Sequence, residues 1–164
     1  MDRRHLVKEI IEYSECIIRK VNSRPGSCLY ISALLAGMIN DHLPVTARLV
    51  VGSLNISGTS IFKHTPILPL LTTNGEIRTD WDGHAWIAVS GLICDLSLFM
   101  TVSAIPTPSI IKSVIENTFK NSPLYLIGQE NRLLELGVDY LEMEELDKYY
   151  INIFIYNAER LGII

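Results

Sequence analysis

The stretch 84-HAWIAVSGLICDLSL-98 holds two apolar runs that meet at Ser90-Gly91. Gly and Ser between β-branched and aliphatic residues predict a two-residue hairpin turn, although Gly in second place is the weaker arrangement for a type II′ loop. With that turn Val89 faces Leu92, Ile87 faces Cys94, Trp86 faces Asp95 and His84 faces Ser97. Side chains alternate across a strand. One face therefore carries Ala85, Ile87, Val89, Leu92, Cys94 and Leu96, all apolar. The other carries His84, Trp86, Ala88, Ile93, Asp95 and Ser97. His84 and Asp95 become diagonal neighbours, roughly 7–8 Å apart at the backbone and within side-chain reach. A three-residue loop would put them on opposite faces.

Upstream, 24-RPGSCLYISALLAGMI-39 places a cysteine where an apolar helix begins. Ser27 suits an N-cap, so a helix is expected from about Cys28 to about Asn40. Its residues are nearly all small or apolar, which marks a buried, central helix. Before it, Leu6, Ile10, Tyr13, Ile17 and Val21 recur at helical spacing, predicting an amphipathic helix over residues 4–21. Asn22 to Ser27 is a break punctuated by Pro25 and Gly26. After Pro44, residues 46–56 read as a strand. Residues 57–83 form a long polar excursion, the kind that often serves as a binding loop or lid. The remainder predicts a helix from Pro108 to Phe119, a strand from Leu124 to Ile127 and a helix from Glu142 to Arg160. No repeat or linker divides the chain, so residues 1–164 are expected to form one domain of the α+β class.

Composition narrows the function classes. Of the 164 residues 48% are hydrophobic and 20% charged, as in a packed globular protein, and the net charge is −4. No Lys/Arg stripe with interleaved aromatics points to nucleic acid. No apolar run reaches the ~18–20 residues of a membrane helix. Arg3 and Arg4 are followed by Glu9, Glu12 and Glu15, unlike a signal peptide. The expectation is a soluble, cytoplasmic protein with no membrane partner, secretion without a cleavable signal being the other route.

Three cysteines cannot all pair, and Cys16, Cys28 and Cys94 lack the close spacing of a zinc site. Alternation sends Cys94 to the core, and Cys16 follows the apolar stripe of its helix. Cys28 remains. A free Cys alone is most simply a small buried hydrophobe, a lone His a structural one, and a lone Asp a turn carboxylate. Together they suggest more, because helix N-termini and nearby imidazolium groups favour the reactive thiolate. An Asp beside the ring fixes its tautomer and stabilises its cation. Trp86 reads as a packing residue, with a substrate platform as the alternative. Arg48 reads as an ion-pair partner, and His5, His42 and His64 as surface residues. Glu142, Glu144, Glu145 and Asp147 read as the solvated first turn of the last helix.

The ordered combination 26-GSCLYISALLAGMINDHLPVTARLVVGSL-54 and 83-GHAWIAVSGLICDLSL-98 resembles the core of the transglutaminase-like superfamily, relatives of the papain-type cysteine hydrolases. The shared pattern is Gly-x-Cys opening a helix, an Ala47-Arg48 strand, His84-Ala85-Trp86, and an Asp soon after. It covers roughly residues 24–98. Many members continue from the Asp with Pro-Thr, where this chain has Leu96 and Ser97, which sets it apart from the protein cross-linkers. The resemblance implies a papain/transglutaminase-like core in which the Cys-bearing N-terminal helix packs on an antiparallel β-sheet. It also implies Cys28 as nucleophile, His84 as general base and then acid, and Asp95 as the orienting carboxylate.

The function expected is a cysteine-dependent peptidase or amidase acting on a peptide or protein through a thioester, with no cofactor or metal. The Cys28 N–H would be one oxyanion donor and Asn22 a candidate for the second. Small bacterial peptide-processing members are the most similar in these elements. Two alternatives use the same site: an acyl-transferring or Gln-deamidating effector, and a catalytically inert binding module.

Overall fold

The computed structural model describes residues 1–22, 26–72, 74–77, 81–104, 110–120 and 123–164. Among these, in chain order, are α1 (Arg3–Lys20), α2 (Cys28–His42), β1 (Arg48–Ile56), β2 (Thr59–Phe62), a 3-10 turn (Leu68–Leu70), β3 (His84–Val89) and β4 (Leu92–Asp95). Then follow α3 (Leu98–Ser103), α4 (Ile110–Phe119), β5 (Leu126–Gln129), α5 (Glu130–Glu135), β6 (Val138–Leu146) and α6 (Lys148–Arg160). Every strand pairing among the described residues is antiparallel. The chain is thus α+β, with helices at its start and a curled antiparallel sheet. No described helix is long and apolar enough to cross a membrane.

The hairpin register is the one alternation requires: Val89 opposes Leu92 and Ile87 opposes Cys94. The turn differs from type II′. Ser90 and Gly91 both have positive φ, 50° and 73°, which makes a type I′ turn in which Gly at the second position is favourable. Ser57-Gly58 repeats the device with φ of 50° and 77°, and Ile56 opposes Thr59 across it. A second hairpin therefore occupies the start of the expected excursion.

β1 organises the sheet. β6 runs along one flank from Leu49 to Ile56, leaving the other flank to be shared. β3 takes Arg48 to Gly52 there, and β2 takes Leu54 to Ile56. Phe62, paired with Leu54, and His84, paired with Gly52, consequently meet where β2 ends and β3 begins. The long excursion leaves the sheet at that joint and returns to it.

Both faces are covered. Leu49, Val51, Ala85, Ile87 and Cys94 pack with buried residues of α1, α2 and α6. Val50, Leu54, Trp86, Ile93 and Tyr140 pack with α3, α4 and α5 on the other face. The face of the hairpin that carries His84 and Asp95 is therefore a second core, and both residues are fully buried. Burying ionised groups and hydroxyls on that face is costly unless protein partners satisfy them.

Three expectations are corrected. The last helix begins at Lys148, and residues 138–146 are a strand. Bonding along β1 overrides the helical propensity of the Glu-rich run. Glu142 and Glu145 there pair with Arg48 at 2.6 and 2.8 Å, giving Arg48 the ion-pair role expected of it, and Asp147 caps α6 through the N–H groups of Tyr149 and Tyr150. His64 is not on the surface: its side chain is 8% exposed, and Nε2 lies 2.9 Å from Glu144 Oε2. The strand expected from Leu124 starts at Leu126, and Leu124 is exposed. The helix expected from Pro108 is described from Ile110, with Pro108 itself outside the described residues, as is Pro25.

Candidate active site

Asp95 closes β4 and begins the turn into α3. Its Oδ1 accepts from the N–H groups of Ser97 (3.0 Å) and Leu98 (2.9 Å) and from the Ser97 hydroxyl (3.2 Å). Its Oδ2 meets His84 Nε2 at 2.6 Å and accepts from the Tyr140 hydroxyl at 2.8 Å. Five donors thus surround one carboxylate. Burial pulls the Asp95 pKa up, but the imidazolium and these hydrogen bonds outweigh it, and the net shift is down. Burial raises the Tyr140 phenol well above its ordinary value, with the Asp95 charge adding to it, so this hydroxyl stays a donor.

His84 opens β3 on the same face. Its ring stacks on Phe62, with centroids 4.3 Å apart and planes at 12°, and lies 6.4 Å from Trp86. Burial pulls the ring's pKa down, yet the Asp95 carboxylate more than compensates, and the Cys28 thiol raises it further. The net direction is up, which keeps the ring cationic at neutral pH. With Nε2 committed to Asp95, Nδ1 is the nitrogen left for Cys28. Nδ1 makes no hydrogen bond to a described residue, while Cys28 lies near enough to raise the ring's pKa.

Cys28 is the first residue of α2 and is 5% exposed. Ser27 holds the N-cap position, but its backbone is already helical and its side chain makes no capping bond. The earliest bond of this turn runs from Ile31 N to the Ser27 carbonyl at 3.0 Å. The Cys28 N–H, one position inside the helix, has no intrahelical acceptor and no other backbone acceptor among the described residues, so it can donate to an anion. One turn further on, the buried Ser32 hydroxyl donates to the Ala85 carbonyl at 3.1 Å. That bond pins α2 to the residue beside His84.

Cys28 and His84 border one small cavity of about 130 Å³, walled by Phe62, Ile77, Trp81 and Asp82. Trp81 is held there by its Nε1–H, which donates to the Thr65 carbonyl at 2.9 Å, while Thr65 N–H donates to the Asp82 carbonyl at 2.8 Å. Gly83 is required by this arrangement, since a Cβ on it would lie 2.3 Å from the Trp81 ring.

Of the residues expected at the site, Cys28, His84 and Asp95 come together. Trp86 is 1% exposed and packs edge-on against Tyr140 with centroids 5.0 Å apart, beneath the His84 ring. Its burial supports packing over substrate contact. Asn22 is occupied elsewhere: its side-chain amide donates to the Gly162 carbonyl at 3.3 Å, and its N–H donates to the Ile163 carbonyl at 2.7 Å. It does not border the cavity. Cys94 lies in the core, where burial pushes its thiol up to about 12.

Sequence reasoning did not single out Tyr140, Phe62, Trp81 or Ser32. Ser32 alone left a local signal, a hydroxyl one turn after the cysteine on an otherwise apolar helix. Taken together, the molecule is an α+β protein with a buried Cys-His-Asp arrangement at the joint of β2 and β3. Comparison with family models, with curated proteins and with solved structures finds no match to this chain.

Proposed function

We propose that this chain is a cysteine-dependent amide hydrolase of transglutaminase-like type, with Cys28 as nucleophile, His84 as general base and acid, and Asp95 as the orienting carboxylate. The observation that carries this reading is the His84–Asp95 contact of 2.6 Å, made through Nε2 so that Nδ1 is left for Cys28. A carboxylate locked by five donors holds the ring in one tautomer and favours its cation.

In this mechanism the Cys28 thiolate attacks the substrate carbonyl, and the C–S bond forms as the π electrons move onto oxygen. The Cys28 N–H at the start of α2 donates to that oxyanion. On collapse the C–N bond breaks, and His84 gives its Nδ1 proton to the departing amine. Water then attacks the thioester while His84 takes a proton from it, and the acid leaves as the thiolate is restored. Asn22, a candidate for the second donor, has its amide engaged by the Gly162 carbonyl and is given no part in this mechanism.

The test is alkylation by limiting iodoacetamide near pH 6, with the label mapped by mass. Cys28 is expected to react in preference to Cys16 and Cys94, and the preference is expected to vanish in His84→Ala. Labelling of Cys28 no faster than free cysteine would leave a binding module. With a peptide substrate, product mass separates cleavage from a gain of about 1 Da or a cross-link.

A further inference from the structure

The cavity beside Cys28 has an asymmetric lining. Phe62, Ile77 and Trp81 supply apolar and aromatic walls, and all three are partly buried. Asp82 is the acidic group bordering it and is exposed. Its backbone carbonyl is used by Thr65, which fixes the segment. Its carboxylate, unlike that of Asp95, has no hydrogen-bond or ion-pair partner among the described residues. Within the triad His84 is the partner of Asp95. Asp82 adds a further negative charge, without a partner among the described residues, two residues before the base.

We infer that the substrate presents a cationic group, an ammonium or guanidinium, close to the amide that Cys28 attacks, and that Asp82 receives it. This rests on the hydrolase reading above. The walls suit such a group: an aliphatic stem can lie along Phe62 and Ile77 while its charged head reaches water and carboxylate at the mouth. The indole face of Trp81 adds cation–π attraction. Two sources share this chemistry, a lysine or arginine side chain and a free α-amine. A neutral or acidic residue in the same place would leave Asp82 unpaired or repelled.

The experiment compares three chloromethyl ketones, in which Sγ displaces chloride: Nα-acetyl-lysine, Nα-acetyl-norleucine and unblocked alanine. Rates of alkylation at Cys28 are read by mass for the wild type and for Asp82→Asn. At least one cationic reagent is expected to outpace norleucine about tenfold, the size of one partly screened charge pair at this range. The advantage is expected to fall at least fivefold in Asp82→Asn. Whichever cationic reagent leads identifies the source, side chain or chain terminus. Norleucine reacting as fast as both, or an advantage that Asp82→Asn leaves in place, overturns the inference. If all three react with Cys28 no faster than with free cysteine, the hydrolase reading fails first, and the inference falls with it.

Discussion

Tyr140 and His84 share one oxygen atom: the phenol of β6 donates to Asp95 Oδ2 at 2.8 Å, and His84 Nε2 meets the same atom at 2.6 Å. The phenol crosses the face of β1 to do so. Gly52 leaves room on that face for the Trp86 ring, which lies 2.9 Å from where a Cβ would stand. A second donor on Oδ2 fixes where the carboxylate points, and so where the imidazole points.

Tyr140→Phe removes that donor and keeps the ring. Hydrogen bonds to charged groups contribute about 1.5–3 kcal/mol, so urea unfolding should show a loss of about 2 kcal/mol. Iodoacetamide alkylation of Cys28 should slow several-fold, because His84 keeps its charge partner but loses part of its alignment. A purely structural role would lower stability and leave the alkylation rate unchanged.

Asp95→Asn should act on both stability and pH dependence. The His84 pKa is raised above its ordinary 6.5 in the folded protein, so its contribution is whole below that pH and is lost as pH rises through the folded value. The Asp95 pKa is depressed below 3.8, so its contribution is present above that pH and is lost as pH falls through the folded value. The wild-type advantage over Asp95→Asn should thus be largest between about pH 4 and 6.5 and shrink at both extremes. Its size there should be about 3–5 kcal/mol, the cost of leaving a buried charge without its partner. Thermal melts across pH measure it directly.

Ser32→Ala breaks the bond from α2 to the Ala85 carbonyl. A neutral hydrogen bond contributes about 1 kcal/mol, and stability should fall by about that amount. The larger effect is expected in the alkylation rate of Cys28, one turn away, since this bond ties its helix to the residue beside His84. Ser32→Thr, which keeps the hydroxyl, should recover part of the rate.

Gly52→Ala tests the packing beneath the site. The added Cβ would sit 2.0 Å from the Leu141 carbonyl oxygen and 2.9 Å from Trp86. Backbone cannot yield there as a flexible side chain could, so β6 must part from β1. A loss of at least about 3 kcal/mol is expected by urea titration, the upper range for overpacked sites. Near-wild-type stability would mean that β6 does not lie against Gly52.

Period-two alternation on both sides of Ser90-Gly91 was enough to pair Ile87 with Cys94 and to place His84 and Asp95 on one face. It could not tell that this face is covered. Cover comes from α3, α4 and α5, of which α3 and α5 are six residues long and too short to stand out as periodic patterns. The Ser57-Gly58 turn was legible in principle, being the same dipeptide as Ser90-Gly91, but the polar residues around it disguised the short β2. The run from Glu142 to Asp147 was misread because glutamates favour helices when nothing else decides. Here Arg48 and His64, distant in sequence, engage those carboxylates.

The chain's local chemistry by itself determined that a thiol stands at the first residue of an apolar helix and that an imidazole and a carboxylate project from one side of a hairpin. These are short-range properties, set by helical and strand periods and by a two-residue turn. Only the tertiary structure decided that Tyr140 completes the carboxylate's shell, that Phe62 and Trp81 wall the cavity, and that Asn22 is engaged elsewhere. Those contacts join residues dozens of positions apart, and they depend on which flank of β1 each strand occupies, a choice made by packing across the whole sheet.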